Sequence, residues 1–129
     1  MTSESLALTL VNPSYVKILK KARLKSDQKI KVSAMLEQGG RILAVSYNKS
    51  GSSRKGYYEY SRHAEDRLVR TASNANSATV YVYREHAGSK EGRLLLLAKP
   101  CRLCRKQMVE AGIKTVVYSS PEGWVKAKL

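Results

Sequence analysis

Apolar residues first recur at helical spacing after residue 14. Tyr15, Ile18, Leu19 and Ala22 share one face, while Lys17, Lys20, Lys21 and Lys25 take the other. The spacing predicts a helix over about Tyr15–Lys25, capped by Ser14, after an irregular arm over residues 1–13 that ends in Asn12-Pro13. Its lysines read as a solvated outer face. Two runs with strand patterning follow, Ile30–Glu37 and Arg41–Tyr47, and the intervening Gln38-Gly39-Gly40 predicts a tight hairpin. A loop rich in Ser, Gly, Lys and Tyr runs from Asn48 to about Arg62. Ser61 is placed to cap a second helix from His63 to about Ser73, which Asn74-Ala75-Asn76-Ser77 stops. Ala78–Glu85 reads as a strand, His86–Gly92 as a polar turn, and Arg93–Ala98 as a second apolar run leading to Pro100. A third helix over about Arg102–Ala111 ends at Gly112, Lys114–Ser119 is a buried strand, and Pro121–Leu129 is a short tail. Helices alternating with strands after an initial hairpin predict a mixed sheet with helices packed on its faces.

Composition adds three constraints. A chain of 129 residues without internal repeats is expected to form one domain over residues 1–129. No run approaches the ~18 apolar residues needed to span a bilayer, and the polar start lacks the pattern of a signal peptide, so a soluble, cytoplasmic protein is expected. Only two cysteines are present, three apart, which excludes a secreted disulfide framework. Charge is the outlier: 24 Lys+Arg against 10 Asp+Glu leave a net charge of +14. A field of that sign attracts polyanions, nucleic acid first among them, although a phosphorylated small molecule would also answer to it. Nothing in the pattern fixes the oligomeric state, and association with further copies of the chain stays compatible with it.

A catalytic zinc takes three protein ligands and leaves a position open for water. His63, Cys101 and Cys104 form a set of that size. Cys101 and Cys104 open a predicted helix, where the i, i+3 spacing turns both sulfurs to one side and the exposed amides favour thiolate. His63 opens another helix, so side-by-side helix starts would bring all three together. Glu65, two residues after His63, is offset so as to reach the metal's open position as a proton carrier rather than a ligand. The plainer alternative is a buried cysteine pair or half of a closed structural site, for which His86 is the only other histidine.

His63-Ala64-Glu65 with Pro100-Cys101-Arg102-Leu103-Cys104 resembles the H-x-E…P-C-x-x-C signature of the zinc-dependent cytidine and deoxycytidylate deaminase superfamily. Each half alone is weak; both, in order and at helix starts, are specific, and the element order extends the resemblance over about residues 14–120. It implies an α/β protein with a three-layer α/β/α cytidine-deaminase-like fold and a mixed central sheet of four to five strands. It also implies Zn2+ on His63, Cys101 and Cys104, with Glu65 as the catalytic proton carrier. Arg41–Asn48 resembles the second strand of deoxycytidylate and tRNA-type deaminases, which implies that Asn48 contacts the substrate sugar; an asparagine capping the end of a hairpin is the alternative. Ala64 would offer its backbone amide to the base, and Pro100 would line the substrate site. Ala111–Tyr118 resembles the segment after the cysteine helix of deoxycytidylate deaminases. The chain departs from the pattern in the insertion His86–Gly92 and in its early end, which implies that a fifth strand and its helix are missing or reduced.

Lys49, Arg54, Lys55 and Arg62 interleave with Tyr57, Tyr58 and Tyr60 before the first half of the signature, and Lys99, Arg102, Arg105 and Lys106 surround the second. Cations track a phosphate backbone while aromatic faces stack on unpaired bases; alternatively the tyrosines pack inward and the cations are solvated. Together these features predict an enzyme that converts cytosine to uracil, foremost in single-stranded DNA. Two other functions stay open: deamination of a free pyrimidine nucleotide, and a catalytically inactive nucleic-acid-binding module on the same fold.

Overall fold

A computed structural model describes residues 7–25, 30–50, 61–62, 76–86 and 102–129. The predicted hairpin forms as β2 (Ile30–Gln38) and β3 (Arg41–Tyr47). Gly39 and Gly40 both have positive φ, 58° and 85°, the backbone of a two-residue turn whose twist matches that of the flanking strands. The Glu37 carboxylate accepts the Gly40 amide at 2.8 Å and fastens the turn from the side.

Helix α1 (Pro13–Arg23) starts two residues before the predicted Tyr15. Asn12, not Ser14, is its cap: Asn12 Oδ1 accepts the Ser14 amide at 2.9 Å. Pro13 sits in the first turn, where it needs no N–H and its fixed φ is already helical. The second helix expected over His63–Ser73 and the apolar run Arg93–Ala98 lie outside the described residues.

Among the described residues the main sheet has six strands, in the order β1-β8-β7-β6-β2-β3. Here β1 is Ala7–Thr9, β6 is Thr79–His86, β7 is Thr115–Ser120 and β8 is Gly123–Lys128. Among the described residues β6 and β7 run parallel, with helix α2 (Arg102–Glu110) between them in the chain, and the other pairings of this sheet are antiparallel. The mixed sheet is as expected, but its strand count corrects the expected four to five. Residues 123–128 are not a tail but pair with β7, and residues 7–9 of the arm pair in turn with β8, Ala7 opposite Lys126. A strand of three residues shows no periodicity in sequence; its partner supplies its structure.

Alternation along the strands sorts the core into two layers. Leu19 of α1 packs with Met35 and Tyr83 on one face, joined by Tyr15, Ile18, Tyr81 and Trp124. On the other, Met108 of α2 packs with Ala34, Leu36, Val80, Val82, Val116 and Tyr118. Helices therefore cover both faces, giving the three-layer α/β/α arrangement. Aromatic contacts knit the α1 face, with Tyr15 edge-on to Tyr81 at 5.3 Å and Tyr83 stacked on Trp124 at 6.1 Å. Burial and the Glu37 carboxylate push the Tyr15 and Tyr81 hydroxyls above their ordinary range.

Helix α2 ends as predicted. Gly112 adopts φ 88°, Gly112 N–H donates to Val109 O at 3.0 Å, and Ile113 N–H reaches back to Met108 O at 3.0 Å. This is a Schellman stop, closed by contact between Ile113 and Met108 in the core.

Candidate active site

The topology sets the same end of β3, β6 and β7 together. The C-terminal residue His86 of β6 lies opposite Ile30, the first residue of β2, while β3 runs back alongside β2 to finish at Tyr47. The chain leaving β6 returns through α2 to the parallel strand β7, so α2 begins over the end where β6 finishes. Substrates of open α/β sheets bind beyond such carboxyl ends.

Asn48 stands at this end, directly after β3, and is buried. Its backbone N–H donates to Val32 O at 2.9 Å, as a ladder residue would. The reciprocal bond runs instead from Val32 N–H to the Asn48 side-chain Oδ1, also 2.9 Å. The carboxamide thus stands in for the main-chain carbonyl and frees the backbone to leave the sheet. It leaves as β4 (Lys49–Ser50), which pairs with β5 (Ser61–Arg62) in a separate ribbon, Lys49 opposite Arg62. The ribbon ends at the residue before His63.

A second break in the ladder lies nearby. The β6/β7 pairing closes at Val82 opposite Tyr118, and beyond it the Arg84 amide donates to Ser119 Oγ at 3.1 Å. Ser119 is fully buried, and its hydroxyl satisfies an amide where the two strands part. Neither this role of Ser119 nor that of Val32 carries a sequence signal, because both rest on partners distant along the chain.

Of the expected metal ligands, Cys104 lies in the first turn of α2, and Arg102, which opens that helix, follows Cys101 directly. Two thiols three residues apart in the chain, with one imidazole, are a donor set suited to tetrahedral zinc. His63, Ala64, Glu65, Pro100 and Cys101 lie outside the described residues, and among the described residues no group of three metal-ligating side chains occurs. Of the expected nucleic-acid contacts, Lys49 and Arg62 are register partners in the ribbon and Arg102 is exposed on α2. Arg54, Lys55, Tyr57, Tyr58 and Tyr60 lie outside the described residues. No helix among the described residues is long and apolar enough to cross a membrane.

Comparison with known proteins bears on most of the chain. Cytidine deaminase from Burkholderia pseudomallei superposes with a TM-score of 0.63 at 22% identity, over 92% of this chain and 91% of that one. The dCMP deaminase of cyanophage S-TIM5, solved with dCMP and dUMP, superposes with a TM-score of 0.55 at 18% identity, over 87% and 85%. These likenesses establish the fold. Comparison with curated protein sequences gives no match. The sequence model described as the cytidine and deoxycytidylate deaminase zinc-binding region matches residues 12–120. Zinc is the metal of that region, and the chain belongs to the cytidine and deoxycytidylate deaminase family.

Proposed function

We propose that the chain is one catalytic domain that hydrolyses cytosine to uracil, with single-stranded nucleic acid, DNA foremost, as substrate. The observation that carries the reading is convergence at one end of the sheet. Asn48, the ribbon ending at Arg62 and the start of α2 all lie there, and the segments bearing His-x-Glu and Pro-Cys-x-x-Cys continue directly from them.

His63, Cys101 and Cys104 would hold the zinc. When bound, it supplies Lewis acidity, which makes water a nucleophile near neutral pH. Glu65 would move the protons: it takes one from the water as the water oxygen bonds to C4 and delivers it to the ring nitrogen. It then carries the second, from the hydroxyl now on C4, to the amino group as the C4–N bond breaks, so that cytosine and water become uracil and ammonia. The Ala64 amide and Pro100 border the base. The Asn48 carboxamide, already oriented by Val32, directs its other end to the sugar.

Polymer is favoured over free nucleotide by the net charge of +14 and by the interleaved cations and tyrosines of residues 49–62. An unpaired base also spares the cost of flipping it from a duplex. A second reading, a free-nucleotide deaminase, is favoured by the neighbours of this fold, which include a cytidine deaminase and a dCMP deaminase solved with its nucleotides.

The test offers an unstructured cytosine-containing oligonucleotide and free dCMP at equal cytosine concentration and low salt. Uracil should form mainly in the oligonucleotide and vanish in Glu65→Gln. Conversion mainly of dCMP would select the second reading, and conversion of neither would leave a binding module.

A further inference from the structure

The outer face of α1 is the feature that the site leaves unused. Lys17, Lys20 and Lys21 project on the side opposite Leu19 and Ala22, and Lys17, Lys21 and Lys25 are exposed. The helix has no acidic residue. Two contacts fix its direction: the Tyr15 hydroxyl meets the Glu37 carboxylate at 3.5 Å, and Ser33 Oγ donates to Leu19 O at 2.7 Å. Advancing along α1 therefore retreats along β2, and the C-terminal turn of α1 comes beside the start of β2, which pairs with the end of β6. Lys20 and Lys21, in the last turn, and Lys25 just beyond it lie at the same end of the sheet as Asn48 and the start of α2, on the opposite face, with Lys17 about one turn further back.

A helix's own needs account for part of this charge. Cations near a C-terminus offset its dipole, and Arg23 Nη1 donates to Lys20 O at 3.0 Å in that role. Lys17, well before the last turn, gains nothing from the dipole, and three lysines on one exposed face repel one another unless an anion lies across them.

We propose that Lys17, Lys20, Lys21 and Lys25 form a phosphate-binding surface for single-stranded nucleic acid, holding the strand where it continues past the site around the end of the sheet. The inference rests on the reading of the protein as a polynucleotide deaminase. It predicts a dependence on length: an oligonucleotide filling only the site cannot touch α1, and a longer one can.

The test is fluorescence anisotropy with labelled oligonucleotides of about 6 and about 30 nucleotides, spanning the common range of single-strand site sizes. Wild type is compared with the triple variant Lys17→Gln/Lys20→Gln/Lys21→Gln, with deamination of each oligonucleotide and of dCMP measured in parallel. The triple variant should bind the long oligonucleotide about tenfold or more weakly at low salt, with a log–log salt slope smaller by about 2. Short-oligonucleotide binding and dCMP turnover should not change, and Lys→Arg at the same three positions should restore long-oligonucleotide binding.

Unchanged long-oligonucleotide affinity and slope would overturn the proposal, as would an equal loss for short and long. Tighter wild-type binding to phosphatidylserine vesicles than to the long oligonucleotide, abolished in the triple variant, would overturn it by giving the surface to a membrane. If wild type binds the long oligonucleotide through α1 yet converts only dCMP, the substrate reading fails and the surface stands. If the oligonucleotide is converted equally by both proteins, the surface alone fails.

Discussion

Asn48 carries a fold role and a proposed substrate role in one carboxamide, and Asn48→Ala separates them. The substitution keeps the backbone bond to Val32 O and removes the acceptor of Val32 N–H, now 2.9 Å from Oδ1. Asn48 is only 6% exposed, so water reaches the stranded amide poorly. An unsatisfied buried donor costs about 1–3 kcal/mol. For a domain of this size about 1 kcal/mol shifts Tm by roughly 3–5 °C, so the variant should melt roughly 3–15 °C lower. The matching assay is urea unfolding followed by the emission of Trp124, which stacks on Tyr83 in the α1-face core. The midpoint should fall with the m-value unchanged, since the exposed surface is the same. Asn48→Asp keeps an oxygen for Val32 and exchanges only the NH2 donor. If that donor meets the substrate sugar, KM should rise about tenfold, the worth of one hydrogen bond, with kcat little changed. An Asn48→Ala protein within about 0.5 kcal/mol of wild type would refute the fold argument, because a bond that terminates the ladder cannot be removed without cost.

Other expectations follow the same logic. At Gly112 an added Cβ would stand 2.8 Å from Asn76 Oδ1 and 3.2 Å from its Cα, at φ 88°, so Gly112→Ala should cost about 1–3 kcal/mol in the urea midpoint. No change there would mean that the loop carrying Asn76 yields freely. Chelation should abolish turnover and zinc should restore it, while Cys104→Ala should lower zinc content by elemental analysis; a fully loaded Cys104→Ala protein would remove that residue from the ligand set. The Tyr15 and Tyr81 hydroxyls titrate above their ordinary 10.0, so the stability they contribute is fully present below pH 10 and is lost as pH climbs through their folded values. Tyrosinate absorbance should resolve a late-titrating class that moves down in Glu37→Gln, and an unmoved class would sink the assignment.

How much was legible varied with the range of the interaction. The β2–β3 hairpin, with its Gly39-Gly40 turn, and the Gly112 stop of α2 are visible in sequence because their determinants lie within a few residues: alternation, positive φ, and a contact from residue 113 back to 108. The zinc signature is equally legible, since residue types and short spacings carry its chemistry. Asn12 was open to the same logic, but Pro13 reads as a breaker until the helix beyond it is seen to begin there. Strands β1 and β8 were not legible: their pairing sets residue 7 opposite residue 126 and residue 115 opposite residue 128, and short segments gain strand structure only from the partner. The same holds for function. Sequence alone determined the family chemistry and the excess of positive charge. Only tertiary structure decided that the Asn48 carboxamide completes a β-ladder, that Ser119 fills the gap between β6 and β7, and that the last lysines of α1 come beside the end of the sheet where Asn48 stands. Residue type fixes what a side chain can do, but pairing across long chain separations fixes where it does it.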